Sequence, residues 1–225
     1  MYRYTQNNME KRFNIVNIDV EEYIQSTLKP LEGFLKEISE YAKKNNIPVA
    51  KLETIRALEV IFNLKKPKAV LELGCAIGFT SIFFAGYLDK SGYIDTVEND
   101  PDMVKMAKNN IKNSGFEKTI NIIYAEAYDY LMNIDKKYDI IFIDAAKGQY
   151  EKYFDICSNL LNEKGVIIAD NVLYRGMVAK KDKIPHRQAT LVERLRSFLD
   201  KITKDERFDT SILSIADGLS ISVKK

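Results

Sequence analysis

The chain has 225 residues, of which 46% are hydrophobic and 29% charged, the balance of a soluble globular protein with a substantial core. Two cysteines, Cys75 and Cys157, exclude a disulfide framework and a cysteine-based metal cluster, and free thiols suit a reducing compartment. The net charge of +2 is too small to name a partner, the opening MYRYTQNNMEKRF lacks a signal-peptide core, and no apolar run reaches the ~18 residues of a membrane span. A cytoplasmic protein with no membrane partner is expected.

No internal repeat, low-complexity tract or linker divides the sequence, so one domain over 1–225 is expected, with a helical cap (1–64) on an α/β core (65–225). Residues 19–45 carry a helical apolar stripe (Tyr23, Ile24, Leu28, Leu31, Leu35, Ile38), with Asp19 and Glu22 as a capping-box-like start and Pro30 as the break between two helices. A further helix is expected over 49–64. From there the pattern alternates. AVLEL (69–73), YIDTVE (93–98), INIIY (120–124), YDIIFID (138–144) and GVIIAD (165–170) read as buried strands. Helices are expected at TSIFFAGYL, at 100–115 with Asp100 as N-cap and Gly115 as terminator, and near 127–133, 149–161 and 187–203. TSILSI and LSISVK, joined at Ala216-Asp217-Gly218, close the chain as a hairpin. The expected fold class is α/β: three layers, Rossmann-like, with a mostly parallel seven-stranded sheet, an antiparallel C-terminal hairpin and extra N-terminal helices.

In such sheets ligands bind beyond the carboxyl ends of the strands. The turn LELGCAIGFT brings Glu72, Gly74, Gly78 and Thr80 there; Glu98 ends the second strand, and Ala125, Glu126 and Ala127 follow the third. A dinucleotide site wants G-x-G-x-x-G, whereas the spacing here is G-x-x-x-G behind an acid. Glu72 repels a diphosphate but suits the cationic amino-acid end of S-adenosylmethionine. Glu98 is placed to accept hydrogen bonds from ribose hydroxyls, and the small residues after strand three leave room for adenine.

Two further strands end in acid: IFIDAAK in Asp144, with Lys147 three positions on, and IIADN in Asp170 and Asn171. Two carboxylates and an amide make an all-oxygen set suited to Mg²⁺ or Mn²⁺ and poor for Zn²⁺. Such a set leaves positions open for substrate and water.

The motifs VLELGCAIGFTS, VENDP and YDIIFIDAAKGQY resemble class I S-adenosylmethionine methyltransferases, and more narrowly the metal-dependent catechol and caffeoyl-CoA O-methyltransferase family, over roughly 45–225. The resemblance implies that Asp144, Asp170 and Asn171 hold the ion, that Lys147 lies by the reacting hydroxyl, that Ala50 joins the cofactor site, and that the chain forms a homodimer. Asp144-Ala145-Ala146-Lys147 departs from the D-A-D-K of the plant branch.

FIDAAKGQY, IADNVLYRGMV, KKDKIPHR and ADGLSISVKK resemble the bacterial branch that methylates 5-hydroxyuridine at the wobble position of tRNA, so an anticodon loop is the expected partner. Charge agrees: residues 175–196 hold seven Lys/Arg against Asp182 and Glu193, a local +5. Arg175, Lys180, Lys181, Lys183 and Arg187 are the expected phosphate contacts, whereas Arg194 and Arg196 are open to simple pairing with acids. Tyr150 and Tyr174 are candidates either to stack on a base or to pack in the core or rim, His186 either to contact phosphate or to lie at the surface without a role, and Cys75 to pack beside the cofactor. The alternatives are a small-molecule catechol or caffeoyl-CoA-like acceptor, and a non-catalytic RNA-binding module.

Overall fold

Strands that are apolar on both faces need helices on both faces, and that requirement sets the layers. The computed structural model describes residues 15–181 and 184–225. It contains α1 (Ile18–Thr27), α2 (Gly33–Lys44), α3 (Leu52–Lys65), β1 (Ala69–Leu73), α4 (Phe79–Ala85), β2 (Tyr93–Glu98), α5 (Pro101–Ser114), β3 (Ile120–Tyr124), α6 (Ala127–Met132), β4 (Tyr138–Ile143), α7 (Tyr150–Leu160), β5 (Leu161–Asp170), α8 (His186–Lys204), β6 (Phe208–Leu213) and β7 (Leu219–Lys224). The sheet order is β3-β2-β1-β4-β5-β7-β6, and only β7 runs against its neighbours. The expected α/β sheet with its closing hairpin is therefore present.

Successive strand residues point to opposite faces and build two cores. Val70, Ile140, Phe142 and Ile168 pack with α2, α3 and α4, where Phe62 stacks on Phe84 at 4.4 Å and Phe84 meets Phe142 edge-on at 5.5 Å. Leu71, Ile141, Ile143 and Ile167 pack on the other face with α6, α7 and α8. Helix α1 buries none of its residues, and Glu21 and Gln25 face the carboxyl ends of the strands. Its N-cap is Asn17, whose side chain takes the Asp19 N–H at 2.8 Å, so Asp19 lies inside the helix rather than capping it. The break at Pro30 falls where expected. Strand β5 starts at Leu161 rather than Gly165, because Tyr138 and Leu161 pair before the register shifts at Ile140.

Near the amino ends of the strands, buried Asp95 accepts hydrogen bonds from Tyr138 Oη (2.8 Å), Lys136 Nζ (2.8 Å) and Asn121 Nδ2 (2.9 Å). Removing that carboxylate strands three donors, one of them inside the core. Asp95→Ala is expected to cost about 2–3 kcal/mol in denaturant titrations. Asp200→Ala, which breaks only the exposed Lys204–Asp200 pair, is expected to cost about 0.5 kcal/mol or less.

Candidate active site

A cleft of about 1280 Å³ opens along the carboxyl ends of the first five strands. One half is built from the first turn. Gly74 (φ +90°) donates to the Val97 carbonyl, and a β-carbon there would lie 2.3 Å from the Asp144 carbonyl oxygen. The glycine is therefore required by the end of β4, not only by a ligand. Gly78 (φ +80°) has room for a β-carbon beside Ala107 and Ile111 of α5, at 3.4–3.6 Å, so its left-handed backbone is what favours glycine there. Ala50, Gly74, Glu98, Ala125, Glu126 and Ala127 line the cleft as expected. Glu72, Gly78 and Thr80 are not on its wall; they shape the turn from behind.

Glu98 is held in place by the Ala76 N–H at 2.8 Å and by the Asn99 and Asp100 N–H groups at 2.9 and 3.0 Å. Glu72 is fully buried. One of its oxygens takes the Ser81 and Thr96 hydroxyls, and the other has no partner among the described residues. Burial pushes its pKa up to about 7, and the charges of Asp144 and Glu98 add to the rise. Cys75 is buried and hydrogen-bonds weakly to the Ala76 carbonyl at 3.6 Å; burial holds its thiol protonated, which fits packing rather than chemistry.

The other half of the cleft carries Asp144, Lys147, Asp170 and Asn171. Ile143 pairs with Ala169, so the next residues, Asp144 and Asp170, leave the sheet side by side. Burial raises the pKa of both. Asp170 reaches about 7, with the Asp144 charge adding to the rise and the Asn171 N–H at 2.6 Å opposing it. Lys147 Nζ is 3.7 Å from Asp144. Its turn, Lys147–Gln149, is touched by Arg194, which reaches the Gly148 carbonyl at 3.5 Å. Among the described residues no donor meets the Asn171 side-chain amide. None of them forms a group of three His, Cys, Asp or Glu side chains suited to a metal. The set here is two carboxylates and one amide, whose acceptor oxygens outnumber the donors that face them; that deficit fits a hard divalent cation.

Tyr150 does not stack in the cleft: it is buried, and its hydroxyl donates to the Asp170 carbonyl at 3.0 Å, fixing the end of β5. Tyr174 does line the cleft, and Tyr153 joins it unforeseen. Asn171, Tyr174, Arg175 and Gly176 all have positive φ. The segment is held by the β6–β7 loop, where Asp217 takes the Leu173 N–H on its carbonyl and the Arg175 N–H on its carboxylate.

Of the expected phosphate contacts, Arg175 is on the cleft wall, while Lys180, Lys181 and Arg187 are exposed nearby in sequence. Lys183 lies outside the described residues. His186 is exposed, as expected. Arg196 is committed to structure: it donates to the Val178 and Lys180 carbonyls at 3.0 and 2.6 Å and pairs with Glu193 at 2.9 Å.

Besides Tyr153, two charged residues of the cleft that matter for its electrostatics went unnoticed in the sequence. Asp217 reads there only as a hairpin residue. Lys51 had a signal, since a cation at the N-cap of a helix (here α3) meets the positive end of the helix dipole and caps nothing.

Since the folded pKa of Glu72 lies above its ordinary 4.5, the folded protein keeps a proton that the unfolded chain has lost between pH 4.5 and about 7. Stability therefore falls as pH rises through that window, and in the cation-free protein Asp170 adds to the same slope. Glu72→Gln is expected to raise the Tm by about 2–4 °C at pH 8 and to leave it unchanged near pH 4.5.

The profile of a family described as O-methyltransferase matches residues 25–225. The catechol O-methyltransferase of Niastella koreensis is 29% identical over 75% of this chain and 78% of its own length. The caffeoyl-CoA O-methyltransferase of Populus kitakamiensis is 29% identical over 74% of each chain. Among solved structures, one from Staphylococcus aureus, assigned provisionally to the caffeoyl-CoA O-methyltransferases, superposes with a TM-score of 0.80 at 32% identity, over 92% of this chain and 97% of its own. An O-methyltransferase from Bacillus cereus in complex with SAH gives 0.80 at 25% identity, with the same coverage of 92% and 97%. Among the described residues no helix is long and apolar enough to cross a membrane.

Proposed function

The chain belongs to the O-methyltransferase family, and from that premise we propose that it moves the methyl group of S-adenosylmethionine onto one of two adjacent oxygens of a catechol-type acceptor, with Mg²⁺ or Mn²⁺ at the ends of β4 and β5. The observation that carries this reading is the adjacent pair of carboxylates, Asp170 buried and Asp144 half-buried, beside Lys147 and the uncommitted amide of Asn171. The donor half is Gly74, Glu98 and Ala125 to Ala127, with Ala50 across the cleft. The SAH complex of the Bacillus cereus relative supports that donor.

A divalent ion held there would lower the pKa of a coordinated hydroxyl. Asp144, Asp170 and Asn171 hold and orient it, and Lys147 is placed to take the hydroxyl proton. The C–S bond of the sulfonium breaks as the C–O bond forms, leaving a neutral thioether. The cleft contributes by holding oxygen and methyl in line.

The names carried by the relatives support a small-molecule acceptor. One observation favours a second reading, 5-hydroxyuridine in a tRNA anticodon loop. That base offers the same pair of oxygens, and Arg175, Lys180, Lys181 and Arg187 are exposed on the segment that follows Asn171.

With S-adenosylmethionine and Mg²⁺, methyl transfer to catechols is expected, to be lost on chelation and to fall by about 100-fold or more in Asp144→Asn and Asp170→Asn. Anticodon stem-loops carrying 5-hydroxyuridine are assayed in parallel. Transfer to RNA alone selects the second reading, and transfer to neither acceptor rejects both.

A further inference from the structure

We propose that Lys51 and Arg175 form an oxyanion subsite on the acceptor side of the cleft, taking a phosphate or carboxylate borne by the acceptor. The inference rests on the reading of the cleft as the site of transfer to a chelating hydroxyl, and it adds what the rest of that acceptor carries.

The two residues come from distant parts of the chain. Lys51 ends the loop between α2 and α3, and Arg175 lies five residues beyond β5, yet both stand on the wall that also holds Lys147, Asp170 and Asn171. What separates them from the other cations nearby is how their charges are engaged. Arg196 is tied to two carbonyls and a carboxylate, and Arg194 reaches the carbonyl of Gly148. Among the described residues, no side-chain hydrogen bond or ion pair engages the Arg175 guanidinium; only its backbone N–H is taken, by Asp217. Among the described residues Lys51 has one ion pair, to Glu21 at 3.6 Å, with the lysine side chain 54% exposed, an arrangement of little strength.

Both positions also run against local preference. Arg175 is a bulky residue at φ +55°, between Tyr174 at +44° and Gly176 at +71°, and left-handed backbone at non-glycine residues costs energy that the surroundings must offset. The offset is visible: Asp217 takes the Arg175 and Leu173 N–H groups and fixes the loop in that form. Lys51 occupies a helix N-cap where its side chain caps nothing. Asp217, which takes the Arg175 N–H, lines the same cleft as Lys51, Arg175 and Lys147.

The chemistry of the pair fits one class of ligand. A guanidinium presents a planar fork of donors that matches two oxygens of a phosphate or carboxylate, and an ammonium adds a movable point charge. A neutral catechol would leave both without a partner. A nucleotide or a carboxylated catechol would not.

The test uses the full chain with saturating S-adenosylmethionine and Mg²⁺ and two matched acceptor pairs: 5-hydroxyuridine against its 5′-monophosphate, and catechol against 3,4-dihydroxybenzoate. The preference is the ratio of kcat/KM for the charged member over the neutral one, and the pair that shows it identifies the source of the oxyanion. A preference of about tenfold or more is expected in one pair. It should fall at least fivefold in Lys51→Gln and in Arg175→Gln, vanish in the double variant, return in part in Arg175→Lys, and shrink with added salt. Equal losses on charged and neutral members, no preference in the parent protein, or a rise only in the KM for S-adenosylmethionine would overturn the proposal. Calorimetric titration of uridine 5′-monophosphate and uridine onto the SAH-bound protein separates this failure from failure of the proposed activity. Tighter nucleotide binding that Arg175→Gln abolishes, without methyl transfer to any acceptor, keeps the subsite and rejects the activity. Transfer without any charge preference does the reverse.

Discussion

The parallel pairing of β4 with β5 places two acidic side chains next to one another on the wall of the cleft. Register leaves no choice: once Ile143 lies beside Ala169, Asp144 and Asp170 must emerge together. Burying like charges opposes folding, and the rise of both pKa values records that opposition. Among the described residues Lys147, 3.7 Å from Asp144, is the one cation paired with either carboxylate. The surroundings reinforce the arrangement. Tyr150 pins the Asp170 carbonyl, and Gly74 has no β-carbon because the Asp144 carbonyl occupies its place.

Charge is distributed by role along the chain. Asp95 is saturated by three donors near the opposite ends of the strands and acts as a structural anchor. Glu72, behind the first turn, has two donors on one oxygen and, among the described residues, none on the other, so its burial is only partly offset and its pKa rises. The basic segment divides likewise. Arg194 and Arg196 tie turns to α8, while Arg175 faces the cleft.

Much of this was legible in the sequence because it is local. Strands buried on both faces write continuous apolar runs, so β1, β2, β3 and β4 were placed to within a residue, and Asp100, Pro101 and Gly115 bracket α5 through their own backbone preferences. The ends of β4 and β5 advertised Asp144, Asp170 and Asn171 because a carboxylate directly after an apolar run is locally anomalous. What escaped depends on contacts between distant segments. Asp217 matters through N–H groups more than forty residues away. Glu72, Gly78 and Thr80 belong to the right turn but face away from the opening, a distinction that motif spacing does not carry. Asn17 rather than Asp19 starts α1 because several polar residues cluster there and only backbone geometry selects the cap.

The central claim is that the ends of β4 and β5 jointly hold one divalent cation. Anomalous scattering from crystals grown with Mn²⁺ and SAH tests it directly. One manganese peak within bonding distance of side-chain oxygens from Asp144, Asp170 and Asn171 is the expected result. A cleft with ordered SAH and no manganese there, or manganese bound only at other side chains, would contradict the account.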